Sequence, residues 1–230
     1  MVEVKVWGPY ALFTRPESKV ERVTYDVMTP SAARGVLEGI LWRPAFSWQV
    51  REIAVLRPIK RLSMLRNEVN SVASVRSARA WQAAGGGFYA EGDRAQRHSL
   101  FLKDVSYIIK ADVVLKPHAA DPVAKYVEMF NRRVRKGQCH NQPYLGTREC
   151  SAFFEPPHGT EAPIELNLDL GRMLFDLEIR PAKKGRLKYV SHDENGVGRV
   201  VSGTAVPRYF HGALRGGVLT VPPELYAGSS

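Results

Sequence analysis

The side chains best suited to chemistry in this sequence are histidine, tyrosine and lysine. Lys116 and His118 lie at the end of a strand pattern, where loops often carry function. Histidine exchanges a proton near neutral pH, and lysine can stabilise negative charge. Such residues can cleave RNA without a metal, because the RNA 2′-hydroxyl supplies the nucleophile and the protein only moves two protons and stabilises a phosphorane. The alternative for His118 is an ordinary surface-loop histidine.

Other catalytic chemistries find little support in the sequence. It contains no P-loop, no G-x-S-x-G elbow, no H-E-x-x-H motif and no carboxylate pair at an active-site spacing. Cys139, His140, Cys150 and His158 lack the paired spacing of a zinc site. We therefore expect free thiols, no metal and no cofactor.

Charge is the most unusual global property of the chain. Its 230 residues include 33 basic and 23 acidic side chains, a net charge of +10, with ordinary hydrophobic and charged fractions of 44% and 24%. These fractions exclude a wholly disordered or collagenous chain. Residues 43–103 alone hold 11 basic and 4 acidic side chains. This surplus favours a nucleic-acid partner over an anionic membrane surface, and a solvated basic face is the alternative.

Six basic residues flank the first predicted helix and the two strands after it, where they could contact phosphates. They are Arg43, Arg51, Arg57, Lys60, Arg61 and Arg66. Further along, Trp81, Phe88 and Tyr89 could stack on unpaired bases or pack beneath a loop.

Hydrophobic periodicity predicts the elements that position these residues. A strand at residues 2–7 precedes a helix capped by Thr29 and Pro30, then strands at 48–56 and 59–69. Residues 70–98 show no pattern and are predicted to be a long mobile insertion. A long strand ending at residue 115, a second helix and a strand at 144–155 follow. The second helix has Asp121 as its N-cap, Pro122 as its first residue and Gly137 as its stop.

The order strand, helix, strand, strand, helix, strand is the split βαβ arrangement of a ferredoxin-like (RRM-like) α+β domain. We assign residues 1–155 to this domain and 156–230 to a small antiparallel β region. That region has strands at 174–179, 187–190, 198–205 and 218–221. Because the N-terminus lacks a signal-peptide core and no apolar stretch could span a membrane, we expect a cytoplasmic protein.

Several motifs in order resemble one known family. They include Thr29-Pro30-Ser31-Ala32, Gly39-Ile40-Leu41-Trp42-Arg43-Pro44, Met129-Phe130-Asn131-Arg132-Arg133, Lys136-Gly137-Gln138-Cys139 and Tyr144-Leu145-Gly146-Thr147-Arg148-Glu149-Cys150. The series is similar to the CRISPR-associated protein 5 family in its subtype I-C (Dvulg) branch, over residues 8 to about 155.

The resemblance implies an endoribonuclease that cuts CRISPR precursor RNA at the base of the repeat hairpin without a metal. The family uses a tyrosine on the first helix and a Lys-His pair on the second. Leu41 stands at the tyrosine position, and Lys125-Tyr126 stand at the pair. Lys125 would then stabilise charge and Tyr126 would handle a proton, with His118 as a rival. Arg132 and Arg133 would hold the RNA strand.

The resemblance also implies partners. After cleavage the protein would stay on the guide RNA with the other subunits of a type I-C surveillance complex, with duplex DNA as a further partner and no membrane. One alternative is a non-catalytic subunit that grips the guide RNA, which the residues at positions 41 and 126 favour. Another is a duplex-binding protein without sequence preference.

Overall fold

The strands and helices form an α+β structure with one large, mainly antiparallel sheet. The computed structural model describes residues 1–18, 20–193 and 195–227. The strands are β1 (Val2–Ala11), β2 (Arg22–Val23), β3 (Phe46–Val55), β4 (Arg61–Val69), β5 (Arg94–Leu115), β6 (Phe153–Glu155), β7 (Leu168–Pro181), β8 (Leu187–His192), β9 (Gly198–Arg215) and β10 (Val218–Thr220). The helices are α1 (Pro30–Ile40), α2 (Val75–Ala84) and α3 (Val123–Arg135), with 3-10 turns at Ala90–Gly92 and Pro223–Tyr226.

The 22-residue strand β5 organises the sheet. The strand order is β6-β1-β5-β3-β10-β9-β7, while β2 and β4 also pair with β5 and β8 pairs with β9. Only the short β2–β5 pairing is parallel among the pairs of these named strands. The predicted C-terminal strands join the same sheet, because β10 pairs with β3. The boundary at residue 155 stays a prediction, and residues 228–230 of the predicted C-terminal region lie outside the described part of the chain.

Helix α1 forms as its sequence predicts. The Thr29 hydroxyl accepts a hydrogen bond from the Ala32 amide at 3.2 Å, and Pro30 begins the helix. The apolar stripe that includes Val36 and Ile40 is fully buried against the sheet. Leu41 directly after the helix is also fully buried, so it is a core residue.

Helix α3 begins one residue later than predicted. Pro122, not Asp121, is the N-cap, because the extended backbone of Pro122 (ψ 154°) places it outside the helix. The Asp121 carboxylate instead accepts a hydrogen bond from Lys125 Nζ at 2.8 Å. The predicted stop at Gly137 is confirmed by its left-handed backbone (φ +61°).

Residues 70–98, predicted as a long mobile insertion with no hydrophobic pattern, contain regular elements, and their mobility stays a prediction. Ser74 caps α2 by accepting a hydrogen bond from the Ser77 amide at 3.0 Å, and β5 begins at Arg94. Residues 94–102 pair with β4 in continuous register. We call residues 61–103 the basic arm. Every residue of α2 is at least partly exposed, so no apolar stripe signalled this helix.

The segment predicted as a strand at 144–155 is mostly a loop. Only its last three residues form a strand, β6, and an isolated bridge joins Tyr144 to Ser151. Gly146 breaks the strand pattern with φ +91°, and a Cβ there would lie 2.1 Å from the Leu12 carbonyl oxygen. This close approach requires glycine.

None of the helices within residues 1–18, 20–193 and 195–227 is long and apolar enough to cross a membrane.

Candidate nucleic-acid interface and catalytic residues

Two of the predicted phosphate-contacting arginines are partly buried and paired with carboxylates. Arg51 on β3 donates to Asp112 at 2.7 Å and to Gln49 at 2.8 Å, with its guanidinium 5.7 Å from the Tyr226 ring centre. The Arg66 side chain on β4 is 19% exposed and donates to Glu149 at 2.9 Å. Their charges are largely offset by these carboxylates, so both arginines hold segments of the chain together.

Three other predicted basic residues remain open to solvent although each has an acidic neighbour. Arg57 and Lys60 share Asp104, with the Lys60 ammonium 3.9 Å from the carboxylate. Arg61 donates to Asp26 at 2.6 Å. All three side chains are about half exposed. Exposed ion pairs of this kind are weak and exchange easily for a phosphate partner.

The two predicted arginines of α3 have different environments. Arg132 is exposed. Arg133 is partly buried, and its Nη1 donates to the carbonyl oxygen of Ile40 at 2.6 Å. That carbonyl lies at the last residue of α1, where helical carbonyls lack partners within the helix. Arg133 therefore caps α1, while Arg132 is free to face a ligand. Arg43, in the loop after α1, is exposed as well.

The outer end of the basic arm carries the predicted aromatic residues. The rings of Trp81 and Phe88 lie 6.4 Å apart with 22° between their planes, so these two side chains stack on each other. Tyr89 is 72% exposed. Arg76 and Arg79 on α2 are also exposed and were missed as candidate contacts because α2 itself was not predicted. Exposed arginines beside accessible rings can bind unpaired nucleotides.

The predicted catalytic pair Lys125-Tyr126 does not share one environment. Lys125 is exposed, and the hydrogen bond from its ammonium to Asp121 holds its pKa above the ordinary value. Tyr126 is 6% exposed, and its ring packs 5.1 Å from the ring of Phe46. Lys125 can therefore reach a phosphate on the surface, whereas Tyr126 forms part of the core.

The rival candidate His118 lies in a turn between β5 and α3 and is partly exposed. Its Nε2 lies 3.1 Å from the Pro44 carbonyl oxygen, and its ring faces the ring of His192. His192 was missed, because no motif surrounds it and only the tertiary fold brings it to His118.

A surface pocket of about 600 Å³ lies between the solvent face of α1 and the loop at residues 140–148. Its lining includes Trp42, Tyr144 and Arg148, all of them exposed. Gly39 allows the loop to approach, since a Cβ there would lie 3.3 Å from the Asn141 carbonyl oxygen. The lining combines two aromatic side chains with the Arg148 guanidinium and the Glu38 carboxylate, and the rings and the arginine suit an unpaired nucleotide. In the sequence, Trp42 stands out only as part of the motif at residues 39–44. That motif indicated the family resemblance and did not by itself predict this pocket.

Both cysteines are free thiols, as expected. Cys139 is exposed, and Cys150 is buried, which raises the pKa of its thiol. Among the described residues, no group of three or more His, Cys, Asp or Glu side chains is placed to hold a metal ion.

An exposed basic arm on a large antiparallel sheet defines a class of protein suited to a polyanionic ligand. The chain belongs to a family within that class, described as CRISPR-associated protein (Cas_Cas5), whose Cas5d model matches residues 1–222.

Curated relatives agree with this assignment, and a solved structure shares the fold. The chain is 50% identical, over 98% of its length and 93% of the relative, to the CRISPR pre-crRNA endoribonuclease Cas5d of Thermus thermophilus. It is 40% identical to the CRISPR pre-crRNA endoribonuclease Cas5d of Mannheimia succiniciproducens, over 96% of this chain and 95% of that one. The fold matches a crystal structure of a CRISPR-associated protein with a TM-score of 0.61 at 24% identity, over 97% of this chain and 92% of that one.

Proposed function

We propose that this chain is a CRISPR pre-crRNA endoribonuclease that cuts precursor RNA at the base of the repeat hairpin. The observation that carries the proposal is the 50% identity, over nearly the whole chain, with a protein of that name. The exposed residues Arg43, Lys60, Arg76 and Arg132 supply the positive surface that RNA binding needs.

The architecture fits this role. The order β6-β1-β5-β3 joins the four strands of a split βαβ unit, with α1 and α3 as its helices. This order supports a ferredoxin-like domain over residues 1–155, followed by a β region from residue 156. The ion pair from Arg34 on α1 to Asp176 on β7, with two contacts at 2.8 Å, ties the two parts together.

The proposed reaction needs no metal. The 2′-oxygen attacks the adjacent phosphorus, the bond to the 5′-oxygen breaks, and a 2′,3′-cyclic phosphate and a 5′-hydroxyl result. Lys125 is exposed at the start of α3 and stabilises the phosphorane charge. Tyr126 stays a predicted proton carrier, and its burial against Phe46 weighs against that role.

The test is cleavage of an end-labelled repeat hairpin in EDTA by the wild-type chain, Lys125→Ala and Tyr126→Phe. Wild type is expected to cut at one position, and Lys125→Ala is expected to cut about a hundredfold more slowly or worse. Tyr126→Phe keeps the packing against Phe46 and removes only the hydroxyl, so an unchanged rate would end the catalytic role of Tyr126. Unchanged cutting by Lys125→Ala would move charge stabilisation to another residue.

A non-catalytic RNA-gripping subunit is the second candidate, and the burial of Tyr126 and Leu41 favours it. Tight hairpin binding with no cutting by wild type would establish this role. The third candidate is a duplex-binding protein without sequence preference. Competition with excess unrelated duplex identifies it, because a protein that binds by charge alone loses the hairpin to such a competitor.

Assembly and location complete the proposal. After cutting, the chain remains on the guide RNA in the cytoplasm, within a type I-C surveillance complex that targets duplex DNA. The exposed basic arm, with α2 at its outer end, supports this role because it can reach a neighbouring subunit or nucleic-acid strand. Deleting residues 71–92 tests this role. Assembly with the other subunits should be lost, while hairpin binding should weaken only in part, because Arg76 is removed and Arg43, Lys60 and Arg132 remain.

A further inference from the structure

Two histidines that are distant in sequence meet beside the beginning of α3. His118 lies in the turn after β5, and His192 ends β8 in the C-terminal region. Their ring centres are 6.3 Å apart, with 24° between the ring planes. Both residues are partly exposed. One phosphodiester at the surface could therefore reach both imidazoles.

The turn that carries His118 is fixed by three hydrogen bonds. The Ala119 amide donates to the Lys116 carbonyl and the Lys116 amide donates to the Ala45 carbonyl, both at 2.9 Å. His118 Nε2 lies 3.1 Å from the Pro44 carbonyl oxygen. Because a carbonyl oxygen can only accept, this contact requires the proton on Nε2, and in that tautomer Nδ1 is the ring atom that can accept a proton. This arrangement orients His118 as a base.

The hairpin that carries His192 is fitted closely to His118. His192 is paired with Gly198, and the Asp193 carboxylate accepts a hydrogen bond from the Val197 amide at 2.9 Å. Gly196 adopts φ +78°, and a Cβ there would lie 3.1 Å from Cδ2 of His118. The turn therefore holds His192 next to His118 by direct packing.

We propose that His118 and His192 are the acid–base pair of RNA cleavage, an inference that rests on the proposed function. Neutral His118 accepts the proton of the 2′-hydroxyl at Nδ1 while the 2′-oxygen forms a bond to phosphorus. Protonated His192 gives its proton to the 5′-oxygen as the bond from phosphorus to that oxygen breaks. Exchange with water then restores both rings. The pair supplies the imidazole that position 126 lacks.

The charged residues that neighbour the pair along the chain are Lys116, Asp121 and Lys125 in the segment of His118, Asp193 after His192, and Arg43 before Pro44. Because one ring must be neutral and the other protonated, the cleavage rate should fall on both sides of an optimum pH.

The test measures single-turnover cleavage of the repeat hairpin in EDTA by full-length His118→Gln and His192→Gln. The glutamine at 118 can still donate to the Pro44 carbonyl, so it removes the base while keeping that contact. Each variant is expected to cut about a hundredfold more slowly or worse with unchanged hairpin affinity, and to lose the bell-shaped pH profile. His211→Gln, which changes an exposed histidine paired with Asp169, is the matched control and should cut like wild type.

The possible outcomes separate the two proposals. If wild type and both variants cut equally fast, the histidine pair is not catalytic and the proposed endoribonuclease stands. If wild type does not cut, both fail. Loss of hairpin affinity in step with rate would make the pair an RNA contact and overturn the inference. If His118→Gln also unfolds at a lower temperature than wild type, the rescue of His118→Gly by free imidazole distinguishes a catalytic role from a structural one. Restored cutting supports the histidine pair, and no restoration overturns it.

Discussion

Arg132 and Arg133 are neighbours on α3 with different roles: Arg132 is predicted to contact RNA, and Arg133 holds the end of α1. Replacing each of them by glutamine should therefore give two different results. Arg133 donates to the Ile40 carbonyl at 2.6 Å in a partly buried site. Losing a hydrogen bond to a charged group costs about 1.5–3 kcal/mol. Since each kcal/mol lowers the Tm of a chain of this size by about 2–4 °C, Arg133→Gln should unfold about 3–12 °C below wild type.

Arg132 is exposed, so its loss should leave the Tm unchanged and weaken RNA binding. One phosphate contact contributes about 0.7–0.9 to the slope of log affinity against log salt. A rise from about 50 to 200 mM salt should therefore lower the RNA affinity of wild type about threefold more than that of Arg132→Gln.

Fluorescence anisotropy with a labelled repeat hairpin across this salt range gives the slope, and circular dichroism gives the Tm. Arg135→Gln removes the same charge from the last turn of α3 and is the matched control. An Arg132→Gln slope equal to that of wild type would refute the phosphate contact. An Arg133→Gln protein with the wild-type Tm would refute the capping role.

Three further predictions concern stability. Phe130→Ala empties a fully buried site and should lower the free energy of unfolding by about 3–5 kcal/mol in urea, so a loss below 1 kcal/mol would place Phe130 outside the core. Gly146→Ala should lower the free energy of unfolding by at least about 1–3 kcal/mol, because it adds a methyl group 2.1 Å from a backbone oxygen at φ +91°. Gly35→Ala is the control, since Gly35 has an open position in α1, and this change should leave the stability unchanged or raise it. The His158 amide holds the pKa of Glu161 at about 2, below the usual 4.5, so the stability that this carboxylate adds is present above about pH 4.5 and is lost as the pH falls through about 2. The difference in urea midpoint between wild type and Glu161→Gln should therefore shrink between pH 4.5 and 2, and a constant difference would contradict the assignment.

Sequence rules that act over a few neighbouring residues predicted helix α1 correctly. Thr29, Pro30 and an apolar stripe were sufficient for α1, because capping and burial act within a few residues. Helix α2 was missed because none of its residues is buried and so it shows no apolar stripe, although Ser74 marks its beginning. The strand predicted at 144–155 failed because apolar content does not reveal a left-handed glycine such as Gly146.

The candidate site was less predictable, since it depends on contacts between distant segments. Arg51 and Arg66 were expected to contact phosphates, and their acidic partners Asp112 and Glu149 come from distant positions in the chain. Composition finds basic residues but does not show which of them are already paired. His192 illustrates the same limit, because the tip of a hairpin is positioned only by the completed sheet.

The long reach of β5 has a consequence for synthesis on the ribosome. In β1, Val2 pairs with Ala111 and Val4 with Ile109, so this first strand has no partner until the middle of the chain has been made. At about 5–20 residues per second, the wait is about 5–20 s. During that time the apolar face of β1 is open to chaperones and to other nascent chains. The order of translation thus makes the first strand the most exposed to misassembly.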